Sequence, residues 1–319
     1  METAQYTLLW QDVDRPLLVI AGPTASGKSE LALRAAEVFS GEIVNCDALQ
    51  FYRGFDIGTA KTPAAERRGV PHHLLDVLDP QTGFSAGDYA RSAREVIAGI
   101  SARGRLPIVV GGTGFYLRAL LQGLPALPAR NDLLRKRLSG REQRRTGSLH
   151  RLLARLEPQA AARIHPRDVQ KVTRALEIRL LTRTALPPPS TSLPLEGFKL
   201  LPLGLAPDRE LLADRIAVRT RQMFDAGLVE EVRRLLAQGL SGEEKPFESL
   251  GYKQVLAYLR GQMSLERAMA ATEIETRQYS KRQLTWFRRD NRMVWLYGFG
   301  SDPAVVDAAL QAIRKFLSE

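Results

Sequence analysis

An α/β fold, with a parallel sheet core and an inserted all-helical domain, is what this sequence predicts, and three observations predict it. First, Gly22-Pro23-Thr24-Ala25-Ser26-Gly27-Lys28-Ser29 satisfies the pattern G-x-x-x-x-G-K-[ST] at every required position, which makes the core P-loop NTPase-like. Second, short apolar runs of strand length are followed by segments with helical spacing of their apolar residues. Third, from Pro125 to about Gly197 the composition turns Arg-rich and helical, with few strand signals. The expected organisation is therefore a first core segment (residues 1–125), a helical insertion (126–197), and a second core segment with C-terminal helices (198–319).

Taken in order, Leu17-Leu18-Val19-Ile20-Ala21 reads as the first strand, set off by Pro16. Leu31, Leu33, Ala35, Ala36 and Phe39 give the helix after the glycine loop, and Ser40-Gly41 ends it. Strand, glycine loop, helix is the order in which backbone N–H groups and a helix N-terminus cradle an anion. Lys28 adds a full positive charge there, and the Ser29 hydroxyl is a candidate Mg²⁺ ligand. The motif implies a di- or triphosphate without specifying which. Glu42-Ile43-Val44-Asn45-Cys46 is a second strand, and Asp47 stands at its C-terminal end, where open α/β sheets form their ligand crevice. Asp47 is a candidate Mg²⁺ holder through water or a general base, with a turn or cap role as the plain alternative. Cys46 reads as a small buried residue.

Residues 51–61 have no clean period and contain two glycines, so they read as a loop. His72-His73 invites a metal reading, but no cysteine is near and the spacing suits no common zinc motif, so a structural role is expected. Tyr89, Ala93, Val96, Ile97 and Ile100 mark a helix, and Leu106-Pro107-Ile108-Val109-Val110 a strand ending in Gly111-Gly112-Thr113-Gly114. Many ATPases place a Mg²⁺-holding carboxylate at the end of such a strand. Its absence here weighs against a motor ATPase or GTPase. Thr113 is either a substrate contact or the N-cap of the helix through Tyr116 and Leu120.

In the insertion the best-defined helix spans residues 168–181. Val169, Val172, Leu176 and Leu180 are expected on its apolar stripe, and Gln170, Thr173, Arg174 and Glu177 on another face. Residues 187–192 read as a low-complexity linker. Beyond it come a strand over residues 200–205 and a long helix from Asp208, with Leu212 and Ile216 inward and Arg215 and Arg219 one turn apart. Residues 248–253 form a Gly-containing loop or helix start. Residues 277–288 form a helix with Tyr279, Arg282, Gln283 and Trp286 along one side, where basic residues interleaved with aromatics suit nucleic-acid contact and Trp286 is the one expected in the core. A strand over 293–297 and a helix over 303–317 close the chain.

The chain carries a net charge of +11, and the surplus is concentrated. Residues 130–183 hold 15 Lys/Arg against 5 Asp/Glu, and residues 277–292 hold 6 against one, Asp290. Two basic blocks on a near-neutral body fit a polyanionic partner better than general solubility charge. A single cysteine excludes an intrachain disulfide and multi-cysteine zinc sites and suits a reducing cytosol. No apolar run approaches the ~20 residues of a membrane span, and the residues before Leu17 follow no signal-peptide plan.

Seven stretches together resemble the bacterial tRNA dimethylallyltransferases, also called tRNA isopentenyltransferases. They are GPTASGKS from Gly22, FDIGTAK from Phe55, PHHLLDVLDP from Pro71, GGTGFYLRAL from Gly111, ARIHPRDVQKVTRALEI from Ala162, ESLGYKQ from Glu248 and TRQYSKRQLTWFRR from Thr276. Ala48, where Ser is common in the family, is a small departure, and the zinc finger of many eukaryotic members is missing. The resemblance implies transfer of a dimethylallyl group from dimethylallyl diphosphate to the exocyclic amine of the adenosine 3′ of the tRNA anticodon. It implies Mg²⁺ and the P-loop on the diphosphate, with Lys28, Asp47, Thr113 and Arg219 at the reaction centre. It implies tRNA contacts from Asp47, Ala48, Leu49, Gln50, Thr113 and Arg135, from Gln170, Lys171, Val172, Thr173 and Arg174, and from Glu248, Ser249, Leu250, Gly251, Tyr252 and Lys253. A monomer working in the cytoplasm, away from membranes, is expected. A prenyltransferase acting on free adenine nucleotide, a small-molecule kinase and an RNA-binding NTPase switch are the rival readings. The first has no need of the basic blocks, and the others require ATP or GTP.

Overall fold

The computed structural model describes residues 14–125, 127–186 and 193–319. The linker stretch 187–192 and the residues before Asp14 lie outside them. The chain divides into two compact units, one of residues 1–121 with 195–319, the other of residues 122–194.

In the first unit, β1 (Arg15–Ala21) leads through the glycine loop into α1 (Lys28–Phe39). Pro16 lies inside the strand rather than before it. Ser40 ends α1 in a left-handed conformation, and β2 (Gly41–Asn45) follows at once. The chain then crosses a long irregular segment to a two-residue strand, β3 (His72–His73). The sequence hides this strand, because two residues show no period. Ser85 caps α2 (Ala86–Ala102) in a reciprocal capping box with Asp88. Next come β4 (Leu106–Gly111) and α3 (Gly114–Gln122).

The second unit holds α4 (Asp132–Arg144), α5 (Ser148–Leu156), α6 (Pro158–Arg163) and α7 (Val169–Thr182). Its core gathers Leu138, Leu149, Leu153, Ala161, Val172, Ala175 and Leu176. Asp168 caps α7 by accepting from the Lys171 amide. The apolar stripe expected on α7 is rotated. Val169 and Leu180 are exposed, and Glu177 is fully buried beside Leu176. A carboxylate enters a core only when paired. The Glu177 carboxylate accepts from Arg135 Nε (2.9 Å) and Nη2 (2.8 Å), from Arg174 Nη1 (2.6 Å) and from the Asn131 amide (2.8 Å). These partners hold it down to about 2, well below the ordinary carboxylate value, against the opposing pull of desolvation.

The first unit resumes with β5 (Phe198–Leu205), α8 (Arg209–Asp225) capped by Asp208, α9 (Leu228–Ala237), α10 (Tyr252–Leu259), α11 (Leu265–Phe287), β6 (Val294–Leu296) and α12 (Pro303–Ser318). The six strands form one sheet in the order β3-β2-β4-β1-β5-β6, and every pairing is parallel. β1 sits between β4 and β5, so its C-terminal end opens at the middle of the sheet. One face carries Leu18, Ile20, Leu31, Ile43, Ile108 and Leu203, the other Leu17, Val19, Val44, Tyr89, Val109 and Leu120. That two-sided burial is what near-continuous apolar strands of a parallel sheet require. Among the described residues no helix is long and apolar enough to cross a membrane.

Candidate active site

The carboxyl ends of β1, β2 and β4 meet at a cavity of about 150 Å³. Thr24, Lys28 and Ser29 of the glycine loop line it, with Asn45 at the end of β2 and Asp47 and Gln50 beyond it, and Gly111 at the end of β4 and Gly112 beyond it. Arg219 of α8 and Tyr279 and Gln283 of α11 also reach it. Residues far apart in the chain thus share one crevice at the strand ends.

Lys28 donates its ammonium to the Pro23 carbonyl at 2.6 Å, which folds the side chain back over the loop. The walls of the cavity strip water from it, and Arg219 repels it. Together they bring its pKa down to about 7 despite the pull of Asp47. Arg219 is enclosed as well, its pKa lowered by desolvation. Asp47 is pushed the other way, raised by burial and partly restrained by the Leu49 amide, Lys28 and Arg219. Two enclosed cations face a single carboxylate, so the site as it stands is short of negative charge. An anion between Lys28 and Arg219 would relieve their repulsion.

The backbone around Asp47 is held by its neighbours. Asn45 Oδ1 accepts from the Asp47 amide (3.0 Å), and Asn45 Nδ2 donates to the Asp47 carbonyl (3.2 Å) and the Leu74 carbonyl (3.0 Å). The Leu49 amide donates to Asp47 Oδ1 at 3.0 Å, closing an Asx-type turn. Thr113 does not stand in the cavity wall. Its Oγ1 accepts from the Ala48 amide at 3.1 Å and its backbone N–H donates to the Cys46 carbonyl, so it ties the β4 loop to the β2 loop. Gln50 spends its amide on the Thr59 carbonyl at 3.0 Å.

Gln283 joins the two glycine loops. It accepts from the Thr24 amide (2.8 Å) and donates to the Gly112 carbonyl (2.9 Å). A Cβ on Gly112 would lie 2.1 Å from Gln283 Nε2, and one on Gly111 would lie 2.1 Å from the Cys46 carbonyl. These close approaches explain why β4 ends in glycines where a carboxylate would otherwise stand. Tyr279 lines the cavity one turn before Gln283, and burial raises its pKa to about 12. Sequence reasoning assigns no role to Asn45 and reads the face of Tyr279 and Gln283 as suited to nucleic-acid contact, not as a tie between the glycine loops. The i, i+4 spacing of Tyr279 and Gln283 is the available signal, but nothing local reveals that it faces a loop so distant in the chain. Cys46 is buried and its thiol is pushed up to about 12 by desolvation, so it stays protonated.

The remaining expected contacts scatter. Val172 and Tyr252, expected to contact tRNA, have buried side chains: Val172 sits in the core of the helical unit. Tyr252 donates to Glu231 at 2.6 Å and accepts from the Gly58 amide, knitting α9 and α10 to the loop after β2. Gly251 is closed in beside it, and Leu250 is half-buried. Arg135 and Arg174 are held by Glu177. Gln170 and Lys171 are exposed and Thr173 half-exposed. Glu248 and Lys253 are exposed and paired with Lys245 and Glu275, and Ser249 donates to the Pro246 carbonyl. The open basic surface of the helical unit includes Arg137, Arg141, Arg144, Arg145 and Arg151. Trp286, expected in the core, is 36% exposed.

Among the described residues no group of three or more His, Cys, Asp or Glu stands together as a metal cage. That includes the paired histidines: His72 Nδ1 bonds to the Val70 carbonyl and His73 Nε2 to Glu42. The cavity offers one carboxylate, Asp47, and the hydroxyls of Ser29 and Thr24. Such a set suits Mg²⁺, which keeps several waters and shares its sphere with substrate phosphates, rather than an all-protein site.

Residues 50–290 match the family model described as IPP transferase. A tRNA dimethylallyltransferase of Solibacter usitatus is 57% identical, over 95% of this chain and all of that protein. The solved full-length tRNA isopentenylpyrophosphate transferase of Bacillus halodurans is 37% identical, with a TM-score of 0.70 and 96% of each chain covered. A eukaryotic dimethylallyltransferase captured acting on tRNA is 29% identical, with a TM-score of 0.78 over 96% of this chain and 80% of that one.

Proposed function

The chain belongs to the IPP transferase family of tRNA dimethylallyltransferases, and from that premise we propose that its donor is dimethylallyl diphosphate and its acceptor the exocyclic amine of the adenosine 3′ of the anticodon. It is an enzyme, a prenyltransferase that modifies tRNA. The observation that carries the finer reading is the convergence of Lys28, Arg219 and Asp47 on one cavity at the glycine loop.

In this reading the diphosphate occupies the glycine loop (residues 22–29), where the N-terminus of α1, Lys28 and Arg219 receive its charge. Ser29 is the residue that would hold Mg²⁺, which when bound would neutralise charge on the leaving diphosphate. The acceptor nitrogen attacks the first carbon of the dimethylallyl group, the carbon–oxygen bond to diphosphate breaks, and Asp47 takes the amine proton. A carboxylate with a raised pKa is a stronger base than an ordinary one, which suits this task. The adenosine must leave its stack to enter a cavity of this size. Thr113 and Gln283 act by holding the loops that carry Asp47 and Thr24. We place the enzyme in the cytoplasm with its substrate, acting as a monomer.

The deciding experiment is a single-turnover assay with Mg²⁺, radiolabelled dimethylallyl diphosphate and unmodified tRNA, with ATP and free AMP in parallel. Label in tRNA and not in AMP is expected. ATP hydrolysis, or label in AMP alone, would move the function to another phosphate-loop class.

Two further results are expected. Lys28 is charged below about 7 and neutral above it in the free enzyme, so the donor KM should climb as pH rises through that value. Well above it, each pH unit lowers the charged fraction about tenfold. Lys28→Arg keeps its charge, so its donor KM should stay flat with pH; a rise as steep as the wild type's removes Lys28 as the titrating group. Replacing Arg141, Arg144 and Arg145 by alanine should weaken tRNA binding and shrink the salt slope of log K by roughly 0.7–0.9 for each phosphate no longer neutralised. An unchanged slope would place the RNA elsewhere.

A further inference from the structure

We infer that residues 298–302, between β6 and α12, brace the anion site, and that Gly300 and Arg215 are positioning residues for the donor diphosphate. The inference rests on the reading of the glycine loop as the diphosphate site. It concerns a segment beyond the matched residues 50–290.

The brace meets the glycine loop backbone to backbone. The Gly300 amide donates to the Ser26 carbonyl at 2.8 Å. Gly27, the N-cap of α1, has φ of 87°, and a Cβ on it would lie 2.9 Å from the Gly300 nitrogen. A Cβ on Gly300 would lie 2.4 Å from the Gly27 carbonyl oxygen. The turn that presents the first N–H groups of α1 is therefore pressed against another loop, with no room for a side chain on either.

The same segment grips α8. The Arg215 guanidinium lies over the Phe299 ring, 4.2 Å from its centroid, and its Nη2 donates to Ser301 Oγ at 3.0 Å. Arg219, which lines the cavity, follows one turn later on that helix. The brace is itself a closed turn: the Phe299 amide donates to Asp302 Oδ2 at 2.7 Å, and the Asp302 amide returns to the Phe299 carbonyl at 3.0 Å. One short segment thus fixes both halves of the diphosphate site, the N–H groups at the start of α1 and the guanidinium on α8. Neither Gly300 nor Arg215 lines the cavity, so their effect passes through Gly27 and Arg219.

The test uses the full chain. Calorimetry of the wild type with inorganic diphosphate and with dimethylallyl diphosphate establishes binding first; no binding there would overturn the diphosphate reading and the brace with it. Gly300→Ala is then measured for donor KM, diphosphate Kd, tRNA Kd and thermal unfolding. A misplacement near 1 Å costs up to about 10²-fold, so donor KM and diphosphate Kd should rise roughly tenfold or more while tRNA Kd stays put. Wild-type diphosphate affinity in a folded Gly300→Ala, or an equal loss of tRNA affinity, would overturn the brace. Arg215→Ala and Arg215→Lys give the second readout. A lysine keeps the charge but loses the planar stack, so both should weaken diphosphate alike. Full rescue by lysine would mean that the charge acts on the ligand directly and that Arg215 is no brace.

Discussion

Asp47→Ala is expected to lower the single-turnover rate by about 10²–10⁴-fold, the usual worth of a positioned base, while tRNA affinity stays near that of the wild type. The carboxylate does two things in the cavity. It is placed to take a proton, and it is the lone carboxylate facing Lys28 and Arg219. Removing it leaves those two cations without their counter-charge. Donor binding should therefore hold or tighten as turnover collapses, a split that marks loss of a group needed only in the transition state. Asp47→Asn should behave alike, since an amide keeps the shape and cannot take the proton. The wild-type rate should fall as pH drops through the raised pKa of Asp47, and the variants should lose that acid limb. Turnover within a few-fold of wild type, measured with saturating tRNA, would end the case for Asp47 as the base.

Glu177→Ala is expected to unfold or loosen the helical unit at neutral pH. Breaking a buried ion pair by removing one partner costs about 3–5 kcal/mol, a large share of the roughly 5–15 kcal/mol that holds a typical domain together. Glu177 is fully buried and is the shared partner of Arg135 and Arg174, which the alanine would leave half-buried and unmatched. The pH dependence has a definite sign. The folded pKa, about 2, lies below the ordinary glutamate value of 4.5. The stabilisation is thus fully present above the unfolded value and is lost as pH falls from there toward 2, by about 3 kcal/mol in total. Glu177→Gln should flatten that dependence. Circular dichroism melts of the variants at several pH values would check both, and melts that superimpose on the wild type's would show that the carboxylate is not what holds α7 in place.

The two residues illustrate what the sequence makes legible. Asp47 and the glycine loop are readable because each belongs to a local pattern: an apolar run, a turn, a charged residue at a strand end. Lys28, Ser29 and the end of β1 follow from the same motif. Glu177 escapes such a reading because period alone assigns apolar residues inward, and the pattern Val169, Val172, Leu176, Leu180 looks sound. The three hydrogen-bonding partners that draw Glu177 in, Asn131, Arg135 and Arg174, outweigh the pattern, and two of them come from elsewhere in the unit. Arg135 and Arg174, expected on RNA, are placed by that pairing. Gln283 is invisible for a related reason: its partners, Thr24 and Gly112, belong to loops remote in sequence, and only the closed fold brings them within 3 Å. β3 is hidden because a two-residue strand is defined by its neighbour, β2, and not by itself.

The place of β1 in the sheet also sets an order of events as the chain is made. β1 pairs with β5 along its whole length, from Arg15 with Phe198 to Ala21 with Gly204. Everything from α1 to α7 is therefore synthesised before the strand that completes β1 exists. The helical unit draws on contacts among its own neighbouring helices, which form early, whereas the central pairing of the sheet must wait to close a long loop. Domains generally fold as units during synthesis, so a nascent chain that has finished its helical unit still carries a glycine loop on a half-flanked strand. The anion pocket is a late product of translation, finished only when β5, α8 with Arg219 and then α11 with Tyr279 and Gln283 have emerged.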